Sequence, residues 1–462
     1  MERIKTDLVV LGAGPGGYTA AFYAADRGLK VILVDEDKRP GGICLNRGCI
    51  PSKALLHVAQ GLREARASGH RGIIFAEPKI DLTKLRSWKE SILQKLSAGV
   101  QSLAKAKGVG YKRGRGFFEN SNTLRVETGQ GQEYISFAKA IVATGSKPVV
   151  PKNFDLGNPR VMTSDQALEV ADIPKDFLIV GGGYIGMELG TVYAALGSRV
   201  VLAEALDSIL AGGADPDLIQ PVLKSAQKTF GEIRTGAKVL KMATAGKKIK
   251  VTFQAEPKNK EELYDKVLVA IGRAPNSNSF GLENTRVTRD AKGFIQINNK
   301  QETQDPKILA IGDVAGGVML AHKAAKEAKV AVDTILGGGR TFENIIIPAV
   351  IFTDPELAWC GITEREARER NWPVKTAKFP WLASGRALTL DRPEGFTKLI
   401  VAADTGRVLG VGIVGFGAGD LISEGVLAIE MGATAQDLAE IVHPHPTLPE
   451  TIMECAERLF IP

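Results

Sequence analysis

The chain has 462 residues, 44% hydrophobic and 24% charged, an average globular composition that excludes a disordered or fibrous protein. That length exceeds one ordinary core, so two to four domains are expected. The net charge of +7 arises from 59 basic residues scattered among 52 acidic ones, and the densest basic run, Lys247-Lys248-Ile249-Lys250, is too short to predict a nucleic-acid partner.

The chain opens through a few polar residues into Leu8-Val9-Val10-Leu11, shorter than the apolar region of a signal peptide. No apolar run reaches the roughly 18 residues of a membrane span. A soluble, cytoplasmic protein without membrane contact is predicted.

Residues 7–35 read as strand, glycine turn, helix, strand, acid. The turn is Gly12-Ala13-Gly14-Pro15-Gly16-Gly17, and the acid is Asp35. Gly12 permits the tight turn, Gly14 lets backbone approach a pyrophosphate, and Gly17 lets helix pack on strand, while Asp35 would accept hydrogen bonds from adenosine ribose hydroxyls. The plan recurs at residues 177–204, with Gly181-Gly182-Gly183-Tyr184-Ile185-Gly186 and the acid Glu204. Such a turn alone is weak, but two in full context predict two dinucleotide sites. Cysteines follow the first unit directly, so that unit is expected to hold a redox flavin dinucleotide. Glu204 would repel the 2′-phosphate of NADP, and Ala205-Leu206-Asp207-Ser208 offers no arginine to receive it, so the second site is expected to prefer NAD.

Between these units lies Cys44-Leu45-Asn46-Arg47-Gly48-Cys49, ahead of a predicted helix from about Lys53 to Ala67. On an ideal helix, residues five apart diverge by about 140° and about 7.5 Å, too far for a disulfide. A distorted turn is therefore expected, with Pro51 and Gly48 as its causes. A helix N-terminus there would lower a thiol pKa and favour thiolate. Zinc would need four ligands, and Cys360 and Cys455 have no cysteine or histidine nearby, so no metal is expected and both read as buried thiols.

Three further segments, residues 140–145, 266–272 and 307–312, look like buried strands that stop at glycine, where ligands meet an open α/β sheet. The last continues into Asp313, a candidate partner for a flavin's ribityl chain or a helix-capping aspartate. Beyond Gly337-Gly338-Gly339, the runs at 397–402 and 408–414 predict an antiparallel sheet.

Residues 41–53, Gly41-Gly42-Ile43-Cys44-Leu45-Asn46-Arg47-Gly48-Cys49-Ile50-Pro51-Ser52-Lys53, resemble the active-site segment of the pyridine nucleotide-disulfide oxidoreductases. The Ser-Lys ending resembles the members that act on dihydrolipoyl groups. The resemblance extends through Ala143-Thr144-Gly145-Ser146, Ala270-Ile271-Gly272-Arg273, Ala310-Ile311-Gly312-Asp313, Met319-Leu320-Ala321-His322-Lys323 and His445-Pro446-Thr447. Arg47 departs from the small apolar residue common there, which puts the approach to the disulfide in question.

The resemblance implies an α/β fold with two Rossmann-like dinucleotide-binding domains and a C-terminal α+β dimerisation domain. Its expected limits are 1–147 for the FAD-binding domain, 148–273 for the NAD-binding domain, 274–345 for a central domain completing the FAD site, and 346–462 for the interface domain. It implies a redox disulfide in which Cys44 exchanges with substrate and Cys49 lies beside the flavin, with Lys53 near the flavin's reactive nitrogen. FAD would be bound through Gly12, Gly14, Gly17, Asp35, Gly42, Lys53, Gly116, Thr144, Gly145, Ser146, Asp313 and Ala321. NAD would be bound through Gly181, Gly183, Ile185, Gly186, Glu188, Glu204, Val239 and Gly272.

Thiol exchange needs a base, and a histidine suits neutral pH. The family's base matches His445, oriented by Glu450, although Thr447 and Glu450 also have capping-box spacing. His443 is unassigned. The resemblance further implies a homodimer in which His445 serves the partner's disulfide. The substrate would be dihydrolipoyl groups on lipoyl domains or lipoate-binding proteins of 2-oxoacid dehydrogenase or glycine-cleavage type complexes. Other NAD(P)H-dependent flavin disulfide reductases are the nearest alternatives. Glutathione-type enzymes need an arginine selecting NADPH, mercuric reductases a C-terminal vicinal cysteine pair, and the transhydrogenase relatives lack the full disulfide pair. A non-enzymatic flavoprotein that senses NADH would not need the two thiols and His445.

Overall fold

The apolar runs around the first glycine turn form neighbouring parallel strands, Ile4–Leu11 and Val31–Asp35, because each is covered on both faces. Leu8 and Val10 pack with Ala20, Ala24 and Ala328, while Val9 and Leu11 pack with Phe118, Leu124 and Val126. The computed structural model describes residues 4–343 and 345–460; the expected outer domain limits, 1 and 462, lie outside the described residues.

The chain divides into two compact units. The first comprises Met1–Ala54, Asp81–Val149 and Gly272–Asn344. Its seven-stranded sheet runs Gly110–Arg113, Val31–Asp35, Ile4–Leu11, Gly131–Val142, Thr123–Thr128, Arg115–Asn120, with Ile308–Ala310 paired parallel to Gly131–Val142. The segment expected as a central domain thus adds a strand to the sheet of the first unit. The helices Pro15–Asp26 and Ala321–Ile335 cover one face through small residues such as Ala20 and Ala328.

The second unit comprises Leu55–Ile80, Val150–Ile271 and Ile345–Pro462. The repeated pattern becomes a five-stranded parallel sheet in the order Glu232–Arg234, Arg199–Ala203, Asp176–Val180, Lys266–Val269, Val161–Met162. A separate five-stranded antiparallel sheet contains Phe396–Ala402 and Val408–Gly415, as the C-terminal pattern predicts. Two helices, Ala418–Met431 and Glu450–Glu457, pack on it. Fully buried Trp381 donates to Thr397 Oγ1 at 3.0 Å, and Thr397 shares a 2.8 Å hydrogen bond with Thr451. This polar chain inside an apolar core fixes the register of the helix that begins at Glu450. Lys398, 1% exposed, is compensated by Asp215 at 2.8 Å, Asp217 at 3.0 Å and Glu364 at 2.7 Å. Among the described residues no helix is long and apolar enough to cross a membrane.

Cys360 and Cys455 are buried, and burial pushes both thiols up to about 12, so they are inert packing groups as expected.

Candidate active site

The two glycine turns match bond for bond. Gly12 has φ +104° and Gly181 φ +109°, conformations that favour glycine, and a Cβ on either would collide with the carbonyl of Ala143 or Ala270. Gly17 and Gly186 stand against the carbonyls of Gly12 and Gly181, where any side chain would part helix from strand. Asp35 accepts from the N–H groups of Ala13 at 2.5 Å and Asp37 at 2.8 Å; Glu204 accepts from Gly182 at 2.6 Å and Leu206 at 2.8 Å. Burial raises the Asp35 pKa, against the opposing pull of those two backbone donors.

The middle glycine of each turn faces open space. A Cβ on Gly14 would meet nothing nearer than Gly42 Cα at 3.9 Å, and one on Gly183 would meet nothing within 4 Å. Each opening lies at a helix N-terminus, with Pro15 or Tyr184 as the first helical residue, so a pyrophosphate fits the exposed backbone. Ile185 follows within that second turn. Gly42, at φ +58°, holds the backbone leading to Cys44 against Gly14.

The strand ends deliver the remaining candidates. In the first unit, Thr144 Oγ1 donates to the Asn276 carbonyl at 2.7 Å, and the Gly145 carbonyl accepts from Asn276 N–H at 2.9 Å. Asp313 accepts from Ser146 Oγ at 2.5 Å, and Arg273 donates to that same hydroxyl at 2.8 Å. Asp313 lies inside the turn Gly312–Ala315, with its carboxylate engaged by Ser146. Glu327 holds the turn from behind by accepting from Gly312 N–H at 2.7 Å, and the buried cation Lys323, at 2.7 Å, balances it. Asn276 and Glu327 escaped the sequence reading, and Arg273 and Lys323 stood there only as motif members without a role, since these roles exist only once segments distant in sequence meet. Ala321 begins the helix behind this turn, Gly116 packs against Leu11 and Leu124, and Gly272 has φ +133° with open space beside it. In the second unit, Val239 is buried at a strand start, and Glu188, 3% exposed, accepts from Phe352 N–H at 3.1 Å.

The cysteine segment breaks where the sequence predicts. Helix Gly42–Arg47 ends at Gly48, and a second helix, Cys49–Ala67, starts at once. It starts four residues before the predicted Lys53, because Pro51 falls among the first N–H positions of a helix, which need no carbonyl partner. A Cβ on Gly48 would press on the Ile43 carbonyl at 3.0 Å and Cys44 Cα at 3.3 Å, so this glycine lets the break fold tightly.

The two sulfurs are brought together as thiols, Cys44 half-buried and Cys49 exposed. The expected lowering of a thiol pKa does not hold for Cys44. Its hydrogen bond with Cys49, then burial, then the charge on Cys49 push it well above the ordinary 9.0, and Lys53 only partly offsets them. Lys53 lies four residues beyond Cys49, one helical turn along the same face. Tyr18, in the helix of the first glycine turn, also lies in the field of this pair, and its phenol is raised by burial and by Cys44 and Cys49. Arg47 turns to Asp37 with a two-pronged ion pair of 2.8 and 2.9 Å.

His445, 80% exposed at its side chain, has Nδ1 2.8 Å from Glu450 Oε1. The other Glu450 oxygen accepts from Thr447 N–H at 2.6 Å. The capping-box alternative is realised in half: Thr447 N–H binds Glu450, but the Thr447 hydroxyl donates to the Pro444 carbonyl, and the helix N-cap is Pro449. Glu450 therefore braces the turn and orients the imidazole together. His443 is pinned within the fold, Nε2 on Glu424 at 2.9 Å and Nδ1 on the Ile441 carbonyl at 2.9 Å.

Residues 6–328 match the family described as pyridine nucleotide-disulphide oxidoreductase, and residues 347–456 match its dimerisation domain. A dihydrolipoyl dehydrogenase from Haemophilus influenzae is 43% identical over 99% of this chain and 95% of its own length. One from Vibrio cholerae is 42% identical, covering 99% and 96%. Among solved structures, LpdA from Mycobacterium tuberculosis superposes with a TM-score of 0.91 at 25% identity, covering 98% of this chain and 99% of its own. The HOCl-induced flavoprotein disulfide reductase RclA from Escherichia coli gives 0.89 at 26%, covering 99% and 100%. The chain belongs to the pyridine nucleotide-disulphide oxidoreductases and is a homodimer-forming flavoprotein whose cofactors are FAD and NAD.

Proposed function

We propose that this protein oxidises dihydrolipoyl groups to the cyclic disulfide and reduces NAD⁺, working through the Cys44–Cys49 pair. The observation that carries the reading is the pair itself: two sulfurs in hydrogen-bond contact across a broken helix, directly after the first dinucleotide turn. The relatives of 42–43% identity are named for that activity.

His445, oriented by Glu450, takes a proton from one dihydrolipoyl thiol, and the thiolate attacks Cys44 of the oxidised pair. Cys49 leaves as thiolate. The second dihydrolipoyl thiol then displaces Cys44, which closes the lipoyl disulfide and leaves two electrons on the protein pair. The hydrogen bond to Cys49, then burial, favour the protonated thiol at Cys44 in this state, and the Lys53 ammonium lies one helical turn beyond Cys49. FAD held at the first glycine turn, by Gly12, Gly14 and Gly17, would supply the two-electron chemistry that links the thiol pair to NAD⁺. The net change is dihydrolipoyl plus NAD⁺ to lipoyl plus NADH and one proton.

In this reading the first glycine turn holds FAD and the second holds NAD, with Glu204 on the ribose hydroxyls. His445 reaches the disulfide of the second subunit, so each site needs two chains. The domain roles follow: residues 1–147 and 274–345 for FAD, 148–273 for NAD, 346–462 for the interface. The carriers are lipoyl domains or lipoate-binding proteins of 2-oxoacid dehydrogenase or glycine-cleavage type complexes, met in the cytoplasm.

Steady-state assays with dihydrolipoamide and NAD⁺, run beside oxidised glutathione, mercuric ion and NADP(H), test the reading. Dihydrolipoamide with NAD⁺ is expected to be the fastest pairing. Faster turnover of glutathione with NADPH would overturn it.

A further inference from the structure

The two dinucleotide turns differ in one respect. Each acid accepts from the N–H two residues beyond it: Asp35 from Asp37, Glu204 from Leu206. In the second turn that residue is an apolar side chain, 58% exposed. In the first it is a carboxylate gripped by both prongs of Arg47, at 2.8 and 2.9 Å. Arg47 lies between the two redox cysteines, so a chain of contacts runs from the redox loop through Arg47 and Asp37 to Asp35 and on to Ala13 of the glycine turn. Two more contacts brace the same loop: Gly41 N–H to the Ala13 carbonyl at 2.8 Å, and Asn46 Nδ2 to the Arg39 carbonyl at 3.2 Å.

The clamp also acts electrostatically. Asp35, Glu36 and Asp37 are consecutive, and burial first, then the charges on Asp37 and Glu36, push the Asp35 pKa up against the pull of its backbone donors. A guanidinium held on Asp37 offsets part of that negative field, where an anionic pyrophosphate would approach.

We infer that Arg47 is a positioning residue for the resident cofactor: its ion pair with Asp37 fixes the Asp35 turn and slows release of FAD, while the Glu204 turn, tied by backbone bonds such as Gly236 N–H to the Leu206 carbonyl at 2.8 Å and Leu210 N–H to the Gly182 carbonyl at 2.9 Å, lets NAD exchange. The inference rests on the reading that the first turn holds FAD. A bound flavin must survive many turnovers, whereas a nicotinamide cosubstrate must leave in each, so an ion pair added to the backbone bonds of the first turn matches the two tasks.

The test follows flavin release from diluted holoenzyme by fluorescence, alongside the KM for NAD⁺. Arg47→Val and Asp37→Asn are each expected to release FAD about fivefold faster, the scale of one partly exposed bidentate pair. Their double variant should release it no faster than either alone, because the two side chains act as one unit. Arg47→Lys should recover part of the loss, and the KM for NAD⁺ should stay within about twofold. Wild-type release from Arg47→Val, or additive effects in the double variant, would overturn the clamp. Asp35→Ala and Glu204→Ala separate this from the underlying reading: if Asp35→Ala kept FAD while Glu204→Ala shed it, the assignment of FAD to the first turn would itself fail.

Discussion

His445 Nδ1 lies 2.8 Å from Glu450 Oε1, and Glu450 spends its second oxygen on the N–H of Thr447. One carboxylate thus fixes both the imidazole and the turn that presents it. Glu450→Gln keeps the brace but loses the anion, and is expected to lower kcat about 10- to 100-fold; His445→Gln should cost about 100- to 10,000-fold. Steady-state kinetics with dihydrolipoamide measure both. A Glu450→Gln enzyme as fast as wild type would remove Glu450 from the site.

Thr447 N–H, then His445, hold the Glu450 carboxyl below its ordinary 4.5. A depressed folded-state value contributes stability above 4.5 that is lost as the pH falls through the lower value. The same sign applies more strongly at Glu262. Burial there raises the pKa, but Lys260, Tyr264 and Arg234 outweigh it and bring it to about 2. The Tm difference between wild type and Glu262→Gln is therefore expected to be greatest near neutrality and to shrink between pH 4.5 and about 2. Calorimetry over that range measures it. A difference that grew with acidity would have the wrong sign.

Glu204 accepts from Gly182 and Leu206, which leaves the carboxylate poised at the end of its strand. Glu204→Ala is expected to raise the KM for NAD⁺ about tenfold and to narrow the preference over NADP⁺, because the repulsion of a 2′-phosphate goes with the charge. Paired kinetics with the two nucleotides decide it.

Much of this arrangement was legible in the sequence, for a physical reason. Each glycine turn, its helix and its acid form one contiguous βαβ segment, so local pattern defines the geometry, down to the positive φ of Gly12 and Gly181. The helix start at Cys49 was obscured because Pro51 reads as a breaker although a helix tolerates it in the first turn. The Arg273–Ser146–Asp313 chain, the Lys323–Glu327 pair and the Arg47–Asp37 clamp were invisible. They depend on which side chains meet after folding, over separations that periodicity does not encode.

Lys398 is the clearest such case. It reads as an ordinary strand lysine, yet it is 1% exposed with carboxylates from Asp215, Asp217 and Glu364 around it. Lys398→Met would strip buried Asp215 of its cation, although Asp217 keeps Lys378 at 2.6 Å and Glu364 keeps Arg368 at 3.2 Å, and is expected to destabilise the protein by about 3–5 kcal/mol, seen as a fall in Tm.

The most direct test of the central claim is dihydrolipoamide-dependent NADH formation by the Cys44→Ser holoenzyme. NADH oxidation by an artificial acceptor that bypasses the cysteine pair serves as the control. Loss of dihydrolipoamide turnover by about a thousandfold or more, with the bypass activity retained, is the predicted result. Dihydrolipoamide turnover near the wild-type rate would contradict a relay through Cys44 and Cys49.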